Sequence, residues 1–119
     1  MFWRQLETLM IDETIKQIEA RIQNSESLKP ERRQELLELL ATLRSEAGEL
    51  AKTHNEQAQS IVGFTQVTTY EATRASQDPQ LMTLSTQGLQ KSVAEFETSH
   101  PRLSQIVNSI STLLSNSGI

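Results

Sequence analysis

The sequence predicts an all-α protein, and three observations carry that expectation. Apolar residues recur at alternating intervals of four and three through most of the chain, which is the period of one helix face. Only five of the 119 residues are aromatic, so the core must be built from Leu, Ile, Val and Ala. Pro30 and Pro79 stand where a helix can open, because the first turn does not use the missing N–H.

The first segment carries Ile11, Ile15, Ile18 and Ile22 on one face, at spacings of 4, 3 and 4. It ends in the turn formers Asn24, Ser25 and Ser27, giving an N-terminal helix over 1–25. The second segment begins at Pro30. Leu36, Leu40, Leu43, Ala47 and Leu50 form a heptad seam, while Leu37 and Leu39 widen the apolar stripe enough for a second neighbour. Glu31, Arg32, Arg33, Glu35 and Glu38 fill its solvated face. No strong breaker follows. The seam continues in phase through His54, Gln57, Ile61, Phe64 and Thr68, so one helix is expected over about 30–75.

"SQDP" is the next breaker, with Asp78 as a cap and Pro79 at the first turn. Met82, Thr86, Leu89, Val93 and Phe96 repeat the 4, 3 spacing. Beyond Pro101 come Leu103, Val107, Ile110 and Leu114. Phe96 and Leu103 are seven apart, so the seam crosses the proline in phase with His100 between them. A second long helix over about 79–116, kinked at Pro101, is therefore expected. Gly118 would cap its end, with Ile119 beyond it.

Two long helices joined near Gln77 make an antiparallel hairpin. Its seam would pair Thr68 with Thr86, Ile61 with Val93, His54 with His100, Ala47 with Val107, and Leu40 with Leu114. The shorter N-terminal helix would cover only the lower half as a three-helix bundle. Residues 56–98 would then protrude as a two-helix arm of this single domain. Such a bare pair is weakly stabilised, since helices in proteins rely on packing. It should therefore pack against another copy or a partner.

Composition excludes several functions. The formal net charge of -4 provides no basic footprint for nucleic acid. There is no cysteine, which removes disulfides, thiol chemistry and Cys-ligated zinc. No apolar run approaches a membrane span, and "MFWRQLETLMIDE" lacks the pattern of a signal peptide. A cytoplasmic protein is expected. Charge is uneven, with 18 of the 26 charged residues in 1–55. The remainder, rich in Ser, Thr, Gln and Asn, reads as a weakly charged helical region.

Chemistry has few candidates. His54 and His100, facing each other, would form a pH-sensitive layer. Glu97 and His100 have the Glu-x-x-His spacing of carboxylate-bridged metal bundles, but such sites need a second copy of that motif and further carboxylates. The phosphorelay contexts of histidine are missing, as are Gly-rich phosphate loops and Ser-His-Asp signatures. Phe2, Trp3, Leu6 and Leu9 share a helix face. Glu7 and the lack of a basic cluster favour packing over a membrane anchor.

The C-terminal residues Phe96, Glu97, His100, Pro101, Gly118 and Ile119 resemble a small bacterial family catalogued as domain of unknown function, family 4404. That family ends in Phe-Glu-x-x-His-Pro, an apolar helix and Gly-Ile. "LKPERRQELLELLATL" is similar to the family's Leu-rich block. The resemblance covers roughly 12–47 and 89–119, with 50–85 as an expansion and the first ten residues as an extension. It implies a helical bacterial protein and brings no activity.

The sequence thus points to a non-enzymatic interaction protein: a homo-oligomer, an adaptor or a small subunit of an assembly. It would use no cofactor. Its contact residues would be Phe2, Trp3, Leu6, Ile61, Phe64 and Leu89. The alternatives are a metal-binding or pH-responsive bundle using His54, Glu97 and His100, and a peripheral membrane protein using Phe2 and Trp3.

Overall fold

Five α-helices follow one another in the computed structural model, which describes the backbone of residues 2–117 and the side chains of 9–116. They are α1 (Phe2–Gln23), α2 (Pro30–Ala51), α3 (Asn55–Ala72), α4 (Pro79–Ala94) and α5 (Pro101–Ser117). The all-α expectation holds, but each predicted long helix is two helices. The reversal between α2 and α3 takes only Lys52, Thr53 and His54. The N–H groups of Lys52, Thr53 and His54 all close back onto the last carbonyls of α2. "KTHNEQ" has no apolar group to hold a continuing helix in place. No described residue, glycine included, has positive φ, so the turn needs no glycine and leaves no breaker in the sequence.

The break before Pro101 is complete. α4 ends at Ala94 and α5 starts at Pro101, with Glu95–His100 between them. Proline disfavours helix at the residue before it, and this local effect overrides the in-phase seam. At the other break the sequence signal is met. Asp78 caps α4 by accepting hydrogen bonds from the N–H groups of Gln80 and Leu81.

These two breaks fold the expected arm back onto the rest of the chain. A continuous helix over 30–75 would be about 69 Å long at 1.5 Å per residue, yet the longest dimension of the protein is 43 Å. The radius of gyration is 13.6 Å, close to the ~13.5 Å of a compact domain this size. Residues 56–98 therefore do not protrude, and α1 lies along α3 as well as α2.

Direction is fixed by side-chain contacts. Arg44 of α2 reaches both Asp12 and Glu19 of α1, in the short-linked pair α1 and α2. Gln17 bonds Gln66, and Arg21 bonds Thr73, so α1 and α3 run parallel. Glu46 pairs with Arg102, and Arg32 donates to the Leu113 carbonyl, so α2 and α5 are antiparallel. Phe64 lies against Gly88, and Thr68 donates to the Ser85 carbonyl, so α3 and α4 are antiparallel. The chain runs up and down five times.

Most of the seam residues face the core despite the breaks, but His54 and Phe64 are exposed and Gln57, Met82, Thr86 and His100 only half-buried. Ile11, Ile15, Ile18, Ile22, Leu36, Leu40, Leu43, Ala47, Leu50, Ile61, Leu89, Val93, Phe96, Leu103, Val107, Ile110 and Leu114 are all buried. Folding back is favoured because it covers apolar surface that an arm would expose, at roughly 25 cal/mol per Å².

Helix α3 occupies the centre. Among the described residues it alone packs against all four others. Its inward positions are small or hydroxyl-bearing: Ala58, Val62, Thr65, Thr68, Thr69 and Ala72 are buried beside Ile61. Small side chains let neighbouring helices approach. The buried hydroxyls of Thr65, Thr68 and Thr69 donate to carbonyls one turn back, at 2.8, 2.7 and 2.8 Å. No hydroxyl in this set is buried unpaired, which would be costly.

Candidate interaction surface

The ring of helices around α3 is open. α1 packs on α2, α2 on α5, and α5 on α4, but α4 and α1 do not meet among the described residues. The outer face of α3 shows through this gap. Ser60, Phe64, Val67 and Tyr70 are exposed there, with Gly63 partly so, and Arg74, just past the end of α3, is also half-buried. The three large apolar residues keep about half their surface: Phe64 40%, Val67 48% and Tyr70 51%. Leu81 and Leu84 of α4 are also exposed, as are Leu9 and Met10 of α1. Leu84 stands one turn before Gly88, on the α4 side that Phe64 covers.

Two grooves flank the α3 ridge. One, between α3 and α4, is lined by Glu56, Ser60, Phe64, Gly88, Lys91 and Glu95. The other, between α1 and α3, includes Met10, Thr14, Gln59, Gly63 and Gln66. Both are open and shallow. Gly63 has open space where a Cβ would project. At Gly88 the same atom would sit 2.5 Å from Phe64 Cε1, so the missing side chain is what seats that ring.

The face is held in shape by charged groups. The Arg21 guanidinium lies 4.5 Å from the Tyr70 ring centroid, a cation–π contact that braces the ring. Arg74 bonds Glu71 at 2.8 Å. That hydrogen bond, with the charge of Glu71 behind it, raises the Arg74 pKa above its ordinary value.

The predicted contact residues divide. Phe64 lies on the face. Ile61 and Leu89 are wholly buried in the core and offer no surface, because refolding of the expected arm covers them. Phe2, Trp3 and Leu6 have side chains outside the described residues, and so do Gly118 and Ile119. Val67, Tyr70, Leu81 and Leu84 were missed as surface residues. Their apolar character was legible, but only the gap between α1 and α4 shows that nothing within the described chain covers them.

The histidines do come together, though not as an inward layer. Both lie at the end of the bundle where α2 turns into α3 and α4 into α5. His54 is exposed and His100 is half-buried. Each approaches buried Phe96 edge-on, with ring centroids 5.4 and 5.6 Å away. Each Nδ1 pairs with the preceding hydroxyl, Thr53 at 2.8 Å and Ser99 at 3.0 Å. Glu97 is exposed. Among the described residues no three His, Asp or Glu side chains gather to hold a metal ion, so the expected ligand set does not assemble. No described helix is long and apolar enough to cross a membrane.

A family model described as domain of unknown function (DUF4404) matches residues 36–119. The chain belongs to this family. The DUF4404 match runs from the α2 seam through α5, and so takes in α3 and its outer face, residues read from the sequence as an expansion. It also contains Phe96, His100 and Pro101, while α1 lies outside it. No curated protein and no solved structure matches the chain.

Proposed function

We propose that this DUF4404 protein is a non-enzymatic helical module that works through protein contacts, as a homo-oligomer, an adaptor or a small subunit of an assembly. One observation carries the reading: the central helix leaves Phe64, Val67 and Tyr70 exposed together on the side that no other described helix covers. Single exposed apolar side chains are ordinary, but a contiguous group marks a contact surface. The tyrosine and phenylalanine are residue types enriched at such surfaces.

The test is site-specific photo-crosslinking in the native cell. A photoreactive amino acid at Val67 or Leu84 should yield a covalent adduct to another polypeptide, and one at exposed Thr112 on α5 should not. Equal labelling at all three positions, or no adduct at Val67 and Leu84, overturns the reading.

A further inference from the structure

The exposed face of α3 has a pattern of its own. Glu56, Ser60, Gly63, Val67 and Tyr70 are spaced 4, 3, 4 and 3, which makes a second heptad seam, on the outside, and Arg74, two residues past the end of α3, follows it, bonded back to Glu71 of the last turn. Its two halves differ. The first carries an acid and two small residues; the second carries two large residues and leads into a base. The gap between α1 and α4 leaves this seam without a partner helix among the described residues of the chain.

We infer that a second copy of this chain fills the gap, with its α3 antiparallel to the first about a two-fold axis near Thr65. This pairing sets Ser60 against Tyr70 of the second copy and Gly63 against its Val67, and brings Glu56 to the end of the second copy's α3 that Arg74 follows. The pairing is complementary: small meets large twice, and an acid comes to the end that a base follows. The contact is self-complementary, as a closed two-fold dimer requires. A parallel pairing would set Glu56 on Glu56 and Arg74 on Arg74, with a void at Gly63 and a clash at Tyr70.

Neighbouring features agree. Gly63 has open space above its Cα, so a Val67 methyl can enter there. Arg74 uses Nη1 on Glu71, and a guanidinium fork has further N–H donors for a second carboxylate. The same axis sets α4 beside α4 of the second copy. Leu84 and Leu81 then extend the apolar contact. This assignment rests on the reading of the α3 outer face as a contact surface, and it names the partner.

The chain has no cysteine, so introduced thiols report geometry cleanly. Gly63→Cys and Val67→Cys chains, mixed and oxidised, should form the 63–67 crosslink in preference to 63–63 or 67–67. In sedimentation of the full chain, Glu56→Arg and Arg74→Glu should each weaken self-association about tenfold or more, since like charges would oppose each other. The double variant should recover most of it. Gly63→Leu should yield a monomer with unchanged helical circular dichroism. If Arg74→Glu loses helicity, Arg74→Gln replaces it, with a smaller loss expected. A chain that stays monomeric at every concentration, a preference for 63–63 and 67–67 crosslinks, or no rescue in the double variant overturns the dimer. Adducts of other mass at Val67 in the cell would then leave the broader reading standing with a different partner.

Discussion

Helices α2 and α3 are adjacent in sequence and built on opposite plans. α2 buries leucines at Leu36, Leu40, Leu43 and Leu50 and faces water with charged residues such as Glu31, Glu35 and Glu38. α3 buries Ala58, Thr65, Thr69 and Ala72, and faces outward with Phe64, Val67 and Tyr70. α2 is a peripheral helix that packs against α1, α3 and α5 and leaves its charged side to water. α3 is surrounded on most of its circumference; apart from Ile61 and Val62 its buried positions are Ala or Thr, and Phe64, Val67 and Tyr70 lie on the open side. A central helix that still turns Phe64, Val67 and Tyr70 outward is explained if that outside is also covered.

The contrast can be broken in the interior first. Leu40→Ala in α2 should cost about 2–5 kcal/mol, the range for a fully buried leucine that leaves a cavity, read by urea denaturation. In α3 the sensitivity is reversed. Ala58→Leu should destabilise by about 1–3 kcal/mol, because a close-packed position has no room for the added carbons; an unchanged midpoint would mean that α3 is not tightly surrounded.

The glycines sharpen the comparison. A Cβ added at Gly48 of α2 or at Gly63 of α3 would meet no atom within 4 Å. Alanine at either should stabilise the folded monomer by up to about 1 kcal/mol through helix propensity. The Gly48 variant should leave self-association unchanged, and the Gly63 variant should weaken it. Parallel behaviour of the two in sedimentation would remove the distinction between the helices. The smallest effect is expected from Val67→Ser, which should alter monomer stability by only about 0.5 kcal/mol, as surface changes do, when measured at dilutions where association does not contribute.

The interior faces of this fold were legible because burial follows helical period. Ile11 to Ile22, Leu36 to Leu50 and Leu103 to Leu114 all point where their spacing places them. The tertiary path was not legible at two places. At Lys52–His54 the chain reverses in ordinary backbone conformations, so no glycine or proline announces it. At Pro101 the seam stays in phase across a real break, and a heptad count cannot distinguish a kinked helix from two helices that share a core. Both breaks had the same consequence. Overlooking them turned α3 and α4 into an arm, and so made Ile61 and Leu89 seem available when they are core residues. His54 and His100 both approach Phe96, at the end of the bundle where both breaks fall. They were wrongly turned inward, because a residue in a reversal is not held to the helical face its number implies. The outer seam of α3 was present in the sequence all along, hidden because Gly63 and Ser60 do not register as apolar.

The most direct measurement is the sedimentation mass of the chain as a function of concentration, for the native protein and for Val67→Glu. A covered α3 face predicts a native species of twice 13.4 kDa that falls to the single-chain mass on substitution, with helical content preserved. A native chain that sediments at 13.4 kDa at every concentration, or a dimer indifferent to a charge at Val67, would contradict it.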